Sequence, residues 1–452
     1  MTATLQSIDP ANGTVVGEVR PTPVGEIPAI VARAKAAQKA WAGHGLERRA
    51  QLLRSAGEAL SARADEMGRL ISQEMGKPLK EALGEARGCV ASLAEEVDDI
   101  EAALADEVVE DKTVKSTMIF DALGVAACIT PWNFPVLMPH QVVIPALLAG
   151  NAVIMKPSEK TPLSAQVWAE CLLSVLEPDV LQVVHGDEEQ GKALVAADVQ
   201  LVAFVGSREA GGHIMREAAG SLKRLVLELG GKDALLVLED ADLEAAVTFA
   251  SRNCFRNAGQ VCVSTERIFV HQRLAERFEM SLAERAKAIR QGDPADEATE
   301  VGPMVDAAQK AHVNRLVQEA IAAGARCLAG GEAAPGNFVR PIVLADVTPQ
   351  MSIMRQETFG PVACIMRVDS DDQAIELAND TPYGLGGAVF GEVEHATEVG
   401  RALDTAMVGI NKGCGGADGV PWVGAKQSGY GYHSGKAGHR QFAQVRVISR
   451  SK

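Results

Sequence analysis

The 452-residue sequence has no C-x-x-C pair, no H-E-x-x-H and no G-x-G-x-x-G. Its eight cysteines (89, 128, 171, 254, 262, 327, 364 and 414) are scattered, which argues against a disulfide framework or a tetrahedral zinc site. The nine histidines show no paired ligand spacing, so no metal is expected. Positive charge is also short: 44 Lys+Arg against 59 Asp+Glu leaves a formal charge of -15. That disfavours phosphate backbones and anionic lipid, so neither nucleic acid nor membrane is expected as a partner. The longest apolar run, Val142 to Met155, carries Pro145, Gly150 and Asn151 and falls short of the ~20 residues that span a bilayer. No basic residue precedes Arg20 and no apolar signal segment follows, so a cytoplasmic location is the expectation. The acidic stretches 95–101 and 106–111 read as a solvated helix face and turn.

What is present suits two or three packed domains: 47% hydrophobic and 23% charged residues over a length well beyond one ordinary core. The first hundred residues have helical spacing, with Ile27, Ile30, Ala34, Ala37 and Trp41 on one face and Leu52, Ala56 and Leu60 starting another. Met75-Gly76-Lys77-Pro78 marks a turn. Val114 to Phe120 and Val125 to Thr130 read as strands joined by a short turn. Strands at 152–155, 180–184, 201–205 and 225–227 then alternate with helices at 162–176, 188–197 and 209–219, the pattern of a parallel sheet covered on both faces. A second α/β series follows, with strands at 234–238, 267–270 and 363–367 and helices at 243–255 and 274–288. Residues 444–449 alternate like a terminal strand.

Five short stretches carry chemistry. In Asn257-Ala258-Gly259-Gln260-Val261-Cys262 a cysteine follows a polar glycine turn, which suits a nucleophile as well as a small buried hydrophobe. Glu228-Leu229-Gly230-Gly231-Lys232 ends a strand with a carboxylate beside two glycines, either a general base with room to move or an acidic turn. Pro131-Trp132-Asn133-Phe134-Pro135 fixes one amide between aromatics and prolines, an oxyanion donor or a plain turn. Lys156-Pro157-Ser158-Glu159 follows a parallel strand, where ribose hydroxyls bind or a charged loop sits. Gly206 and Ser207 open a helix after a strand, a seat for pyrophosphate or a common turn.

Together these stretches resemble the aldehyde dehydrogenase superfamily, from Met75-Gly76-Lys77-Pro78 to Lys426-Gln427-Ser428-Gly429, nearest in pattern to its succinate-semialdehyde dehydrogenase-like members. The resemblance implies an α/β fold of two parallel-sheet Rossmann-like domains plus a small β oligomerisation flap. It divides the chain into a dinucleotide-binding domain (1–104 and 124–230), a catalytic domain (231–431) and the flap (105–123 and 432–452). It implies NAD(P)-dependent oxidation of an aldehyde to an acid in a homodimer or homotetramer. Residue by residue, it makes Cys262 the nucleophile, Glu228 the base and Asn133 the oxyanion donor. Trp132, Lys156, Glu159, Gly206, Ser207, Gly211, Leu229, Glu357 and Phe359 become cofactor contacts.

The aldehyde tunnel is expected to involve Phe134, Leu137, Gln141, Arg256 and Trp422. Arg256 matches a carboxylate-anchoring arginine of succinate-semialdehyde dehydrogenases, while the second arginine of that pair aligns with Gln141. A semialdehyde substrate is therefore one candidate, and a structural ion pair is another reading of Arg256. Trp422-Val423 and Val205 depart from the usual Phe-Gly and Thr, and Ser264 stands where some relatives carry a second cysteine. Glu159 would repel a 2′-phosphate, so NAD is expected, with NADP the alternative and Arg208 the residue that weakens the choice. The rivals are a CoA-acylating dehydrogenase, which needs no water-activating Glu228, a non-catalytic NAD-binding relative, and a thiol esterase.

Overall fold

The computed structural model describes residues 4–452. Two parallel sheets form its centre. The first has six strands in the order Gly429–Tyr430, Arg224–Glu228, Leu201–Val205, Val125–Ile129, Ala152–Lys156 and Leu181–Val183, parallel except at Gly429–Tyr430. The second has seven: Arg326–Ala329, Ile342–Ala345, Val362–Val368, Thr265–His271, Asp233–Val237, Gly386–Phe390 and Met407–Ile410. All are parallel but the first.

The central strands are apolar without interruption because both faces are covered. Within Val125–Ile129, Ala126 and Cys128 pack with Leu53, Met67 and Trp168, whereas Val125, Ala127 and Ile129 pack with Ile27, Val31 and Leu194. A separate core surrounds the second sheet. The run from Val142 to Met155 is the end of helix Leu137–Leu148 followed by strand Ala152–Lys156.

A third, antiparallel sheet of Glu107–Glu110, Val114–Ala122 and Ala443–Ser451 stands apart. The C-terminal strand therefore pairs with Val114–Ala122 along its whole length. The helices, alternating strands and terminal strand agree with their sequence patterns, and two features correct them. Leu5–Ile8 and Val15–Val19 form a hairpin ahead of the first helix, too short for a periodicity reading dominated by helix. Glu107–Glu110 is a strand, not a turn: its carboxylates are solvated while Val108 and Val109 supply the β pattern.

Candidate active site

Four neighbouring strands of the first sheet end at the same edge, so their carboxyl ends deliver one cluster of side chains. Val205 lies opposite Glu228 and Ile129 opposite both Phe204 and Lys156. The edge therefore carries Glu228, Gly206 and Ser207, the 131–134 turn, and Lys156 to Glu159. Cys262 comes from the other sheet, on the loop between helix Leu243–Phe255 and strand Thr265–His271.

That loop explains its own sequence. Asn257, Ala258 and Gly259 are all left-handed, with φ of 50°, 55° and 70°. Ala258 in this region costs about 1–2 kcal/mol, so the surroundings must hold the turn. Gly259 is required because a Cβ there would lie 2.1 Å from the Gly360 carbonyl oxygen. Gln260 is fully buried; its Nε2 donates to the Asn257 carbonyl (3.1 Å) and its Oε1 accepts from Val305 N–H (2.8 Å). Asn133 Nδ2 donates to the Gln260 carbonyl at 3.1 Å, which places the amide two residues from Cys262.

Glu228 is buried, and burial pushes its carboxyl up to about 7. One oxygen accepts from Trp422 Nε1 at 3.4 Å and the other has no partner. Cys262 and Glu228 face each other closely enough for each to change the other's proton affinity. Burial, and then the Glu228 charge, push the Cys262 thiol well above its usual range. Cys262 itself is half-buried, and Glu228 stands beside it as an acceptor for its proton.

Sequence reading missed the groups that hold these parts. Lys77 is fully buried, bonds Glu85, donates to the Asn133 carbonyl (2.7 Å) and lies 3.9 Å from the Phe134 ring centre. Glu85 also accepts from Val136 and Leu137 N–H, both at 3.1 Å. This buried pair clamps the turn that carries Asn133. Likewise Glu266, bonded to Lys232, accepts from Thr358 N–H (2.8 Å) and Phe359 N–H (2.7 Å). Phe359 is left-handed at φ 47°, a conformation those two bonds help to hold. The only sequence signal for either device was a lysine directly after a glycine, in Gly76-Lys77 and Gly231-Lys232.

The cofactor candidates also converge. Ser207 caps helix Arg208–Ala219, its Oγ accepting from Ala210 N–H at 3.3 Å. Gly211 packs on Leu229, where a Cβ would lie 2.6 Å from the leucine methyls. Trp132 meets Phe359 edge to face at 5.5 Å. Glu357 accepts from Gly231 N–H (3.0 Å), and burial followed by the nearby Glu266 charge pushes it up to about 8. Lys156 donates to the Pro157 carbonyl at 3.2 Å, and its charged neighbours are Glu159 and Asp187. Arg208 points elsewhere, to Glu209 and Gln427 and over the Tyr383 ring.

Of the tunnel candidates, Phe134 and Leu137 sit at the Lys77–Glu85 clamp. Gln141 accepts from Ser434 Oγ at 2.7 Å. Arg256 pairs with Glu81 at 3.5 Å and lies 5.9 Å from the Phe134 ring centre. Trp422 is half-buried and donates to Glu228 from Nε1 at 3.4 Å. Among the described residues no group of three or more His, Cys, Asp and Glu is arranged to hold a metal, and no helix is long and apolar enough to cross a membrane.

Residues 1–448 match the model of the Aldehyde dehydrogenase family. The chain is 35% identical to aminoaldehyde dehydrogenase 1, peroxisomal, of Pisum sativum, covering 99% of this chain and 92% of that protein. It is 36% identical to a succinate-semialdehyde dehydrogenase [NADP(+)] of Deinococcus radiodurans, covering 98% and 94%. The crystal structure of PnpE in complex with nicotinamide adenine dinucleotide superposes with a TM-score of 0.94 at 33% identity, covering 99% of this chain and 94% of that one.

Proposed function

This chain belongs to the aldehyde dehydrogenase family, and from that premise we propose that Cys262, Glu228 and Asn133 carry its NAD(P)-dependent oxidation of an aldehyde to an acid. The observation that supports this most is the facing pair of Cys262 thiol and buried Glu228 beside the Asn133 amide. Glu228 takes the thiol proton as sulfur attacks the aldehyde carbon. The new C–O⁻ is held by Asn133 Nδ2–H and the Cys262 N–H; one such donor typically contributes ~10²–10³ in kcat. Bound NAD(P) supplies a hydride acceptor, which turns the adduct carbon into a thioester. Glu228 releases that first proton to solvent and then removes one from water; the hydroxide adds to the thioester carbon, the C–S bond breaks to free the acid, and the leaving Cys262 sulfur takes the proton back from Glu228.

The residues at the sheet edge fit the cofactor. Ser207 and the N-terminus of its helix offer N–H groups for pyrophosphate. Glu159 and Glu357 offer acceptors for two riboses, and Trp132 and Phe359 an aromatic wall for the nicotinamide. Glu159 and Asp187, both beside Lys156, favour NAD over NADP. We expect kcat/KM at least tenfold higher with NAD, and a clear NADP preference would overturn the roles given to these two carboxylates.

We divide the chain as 1–104 with 124–230 for the dinucleotide, 231–431 for catalysis, and 105–123 with 432–452 for assembly into a dimer or tetramer. Eight free cysteines support a reducing, cytoplasmic setting. The test is aldehyde-dependent absorbance of reduced nicotinamide with wild type and Cys262→Ala. Loss of at least 10³-fold is expected, and retained activity would remove Cys262 from the reaction.

A further inference from the structure

A cavity of about 230 Å³ lies behind the nucleophile's loop, bounded by Phe249, Asn253, Val263, Cys414, Gly415 and Trp422. Val263 follows Cys262 directly, and Trp422 reaches the base Glu228, so the cavity shares two walls with the reacting centre. Its other boundaries are Gly413 and the strand residues Asp233, Thr265, Gly387 and Ala388. The loop that closes it, Gly413-Cys414-Gly415-Gly416-Ala417-Asp418-Gly419, carries almost no side-chain bulk. Space is thus left by the sequence itself, beside the two aromatic walls Phe249 and Trp422.

The two cations beside the Phe134 ring are matched. Arg256 is faced by Glu81, and Lys77 by Glu85, whose salt bridge is buried. Gln141 is engaged by Ser434 and brings no charge. Inside the cavity, Asn253 Nδ2 is committed to the Val263 carbonyl (3.1 Å) and Thr265 Oγ1 (2.9 Å). Asp233 accepts from Gly386 N–H with one oxygen (3.0 Å), and burial pushes its carboxyl up to about 8. A substrate carboxylate placed here would meet the Asp233 carboxyl, while the lysine next to the closing loop, Lys412, is exposed and donates to the Gly415 carbonyl (2.6 Å).

Resting on the aldehyde dehydrogenase reading above, we propose that this cavity receives the substituent of an uncharged, ring-bearing aldehyde and makes such aldehydes the preferred substrates. Size agrees, since an apolar cavity of about 150 Å³ already holds a benzene. The rim glycine Gly415 has no atom within 4 Å of where a Cβ would stand, so a larger side chain at that position fits and narrows the cavity.

The experiment compares kcat/KM for benzaldehyde, 4-hydroxybenzaldehyde, propanal, 4-carboxybenzaldehyde and succinic semialdehyde in the full-length enzyme, then repeats the series with Gly415→Leu and Val263→Phe. The uncharged ring aldehydes are expected to exceed propanal and both carboxylated aldehydes by at least tenfold. At least one of the two variants should lower the benzaldehyde-to-propanal ratio by tenfold or more. Turnover of propanal without a ring preference, or ratios unmoved by both variants, overturns the cavity's role and leaves the aldehyde dehydrogenase reading standing. A preference for the carboxylated aldehydes also overturns it and returns Arg256 to an anchoring role. If no aldehyde reduces either nicotinamide cofactor, the broader reading fails instead.

Discussion

Glu228 and Cys262 control each other through one proton. Burial holds the proton on Glu228 up to about pH 7, and the thiol keeps its own well above that. The carboxylate that must accept from Cys262 therefore exists only above about pH 7, and activity is lost as pH falls through that value. We expect log kcat/KM for the aldehyde to rise with unit slope below pH 7 and level off above it. Glu228→Gln should remove this limb, slow deacylation most, and leave an acyl adduct on Cys262 visible by mass spectrometry. A limb that persists in Glu228→Gln would assign it to another group. The roles proposed for Cys262, Glu228 and Asn133 come from short motifs that are ambiguous singly and resemble a family pattern only together. Their proton balance could not be read there, since it depends on the burial of Glu228 and on its facing Cys262, which only the fold brings about.

At the scale of elements, the parallel sheet was readable because its strands are short apolar runs separated by amphipathic helices, and the sheet edge then follows from topology. What sequence did not reveal are the long-range buried pairs Lys77–Glu85 and Lys232–Glu266, which look like ordinary surface charges in a linear reading. The second pair has a specific consequence. Glu266 holds Thr358 and Phe359 N–H, and that segment also carries Glu357. Glu266→Gln leaves Lys232 buried without its counter-charge, a loss of about 3–5 kcal/mol. We predict a lowered melting temperature and a KM for NAD raised tenfold or more. Adding Lys232→Met should restore much of the melting temperature, since no uncompensated charge remains. Unchanged NAD affinity in Glu266→Gln would separate the pair from the cofactor site.

The whole molecule has one surface that a single copy leaves unfinished. Strand Ala443–Ser451 is paired along one edge only, and from Gln444 onward every residue is exposed, on both faces of the sheet. Val445, Val447 and Ile448 are 44%, 57% and 52% exposed, and Val108 and Val109 of the opposite edge strand 54% and 58%. A monomer that kept such a sheet in water would present an apolar patch and an open edge for uncontrolled pairing. Few charges guard the strand itself: Arg446 is tied to Asp121 across the sheet. The alternation of residues 444–449 already marked a strand in the sequence, but only its pairing with Val114–Ala122 places these valines on an isolated sheet. A second copy of the chain covers this sheet in our reading, and a symmetric pair buries the same valines twice. Light scattering on size-fractionated protein should therefore give two or four times the chain mass. The double variant Val445→Glu/Val447→Glu should shift it toward a single chain at micromolar concentration. A wild-type protein that is monomeric there, or a double variant that assembles unchanged, would remove the flap from assembly.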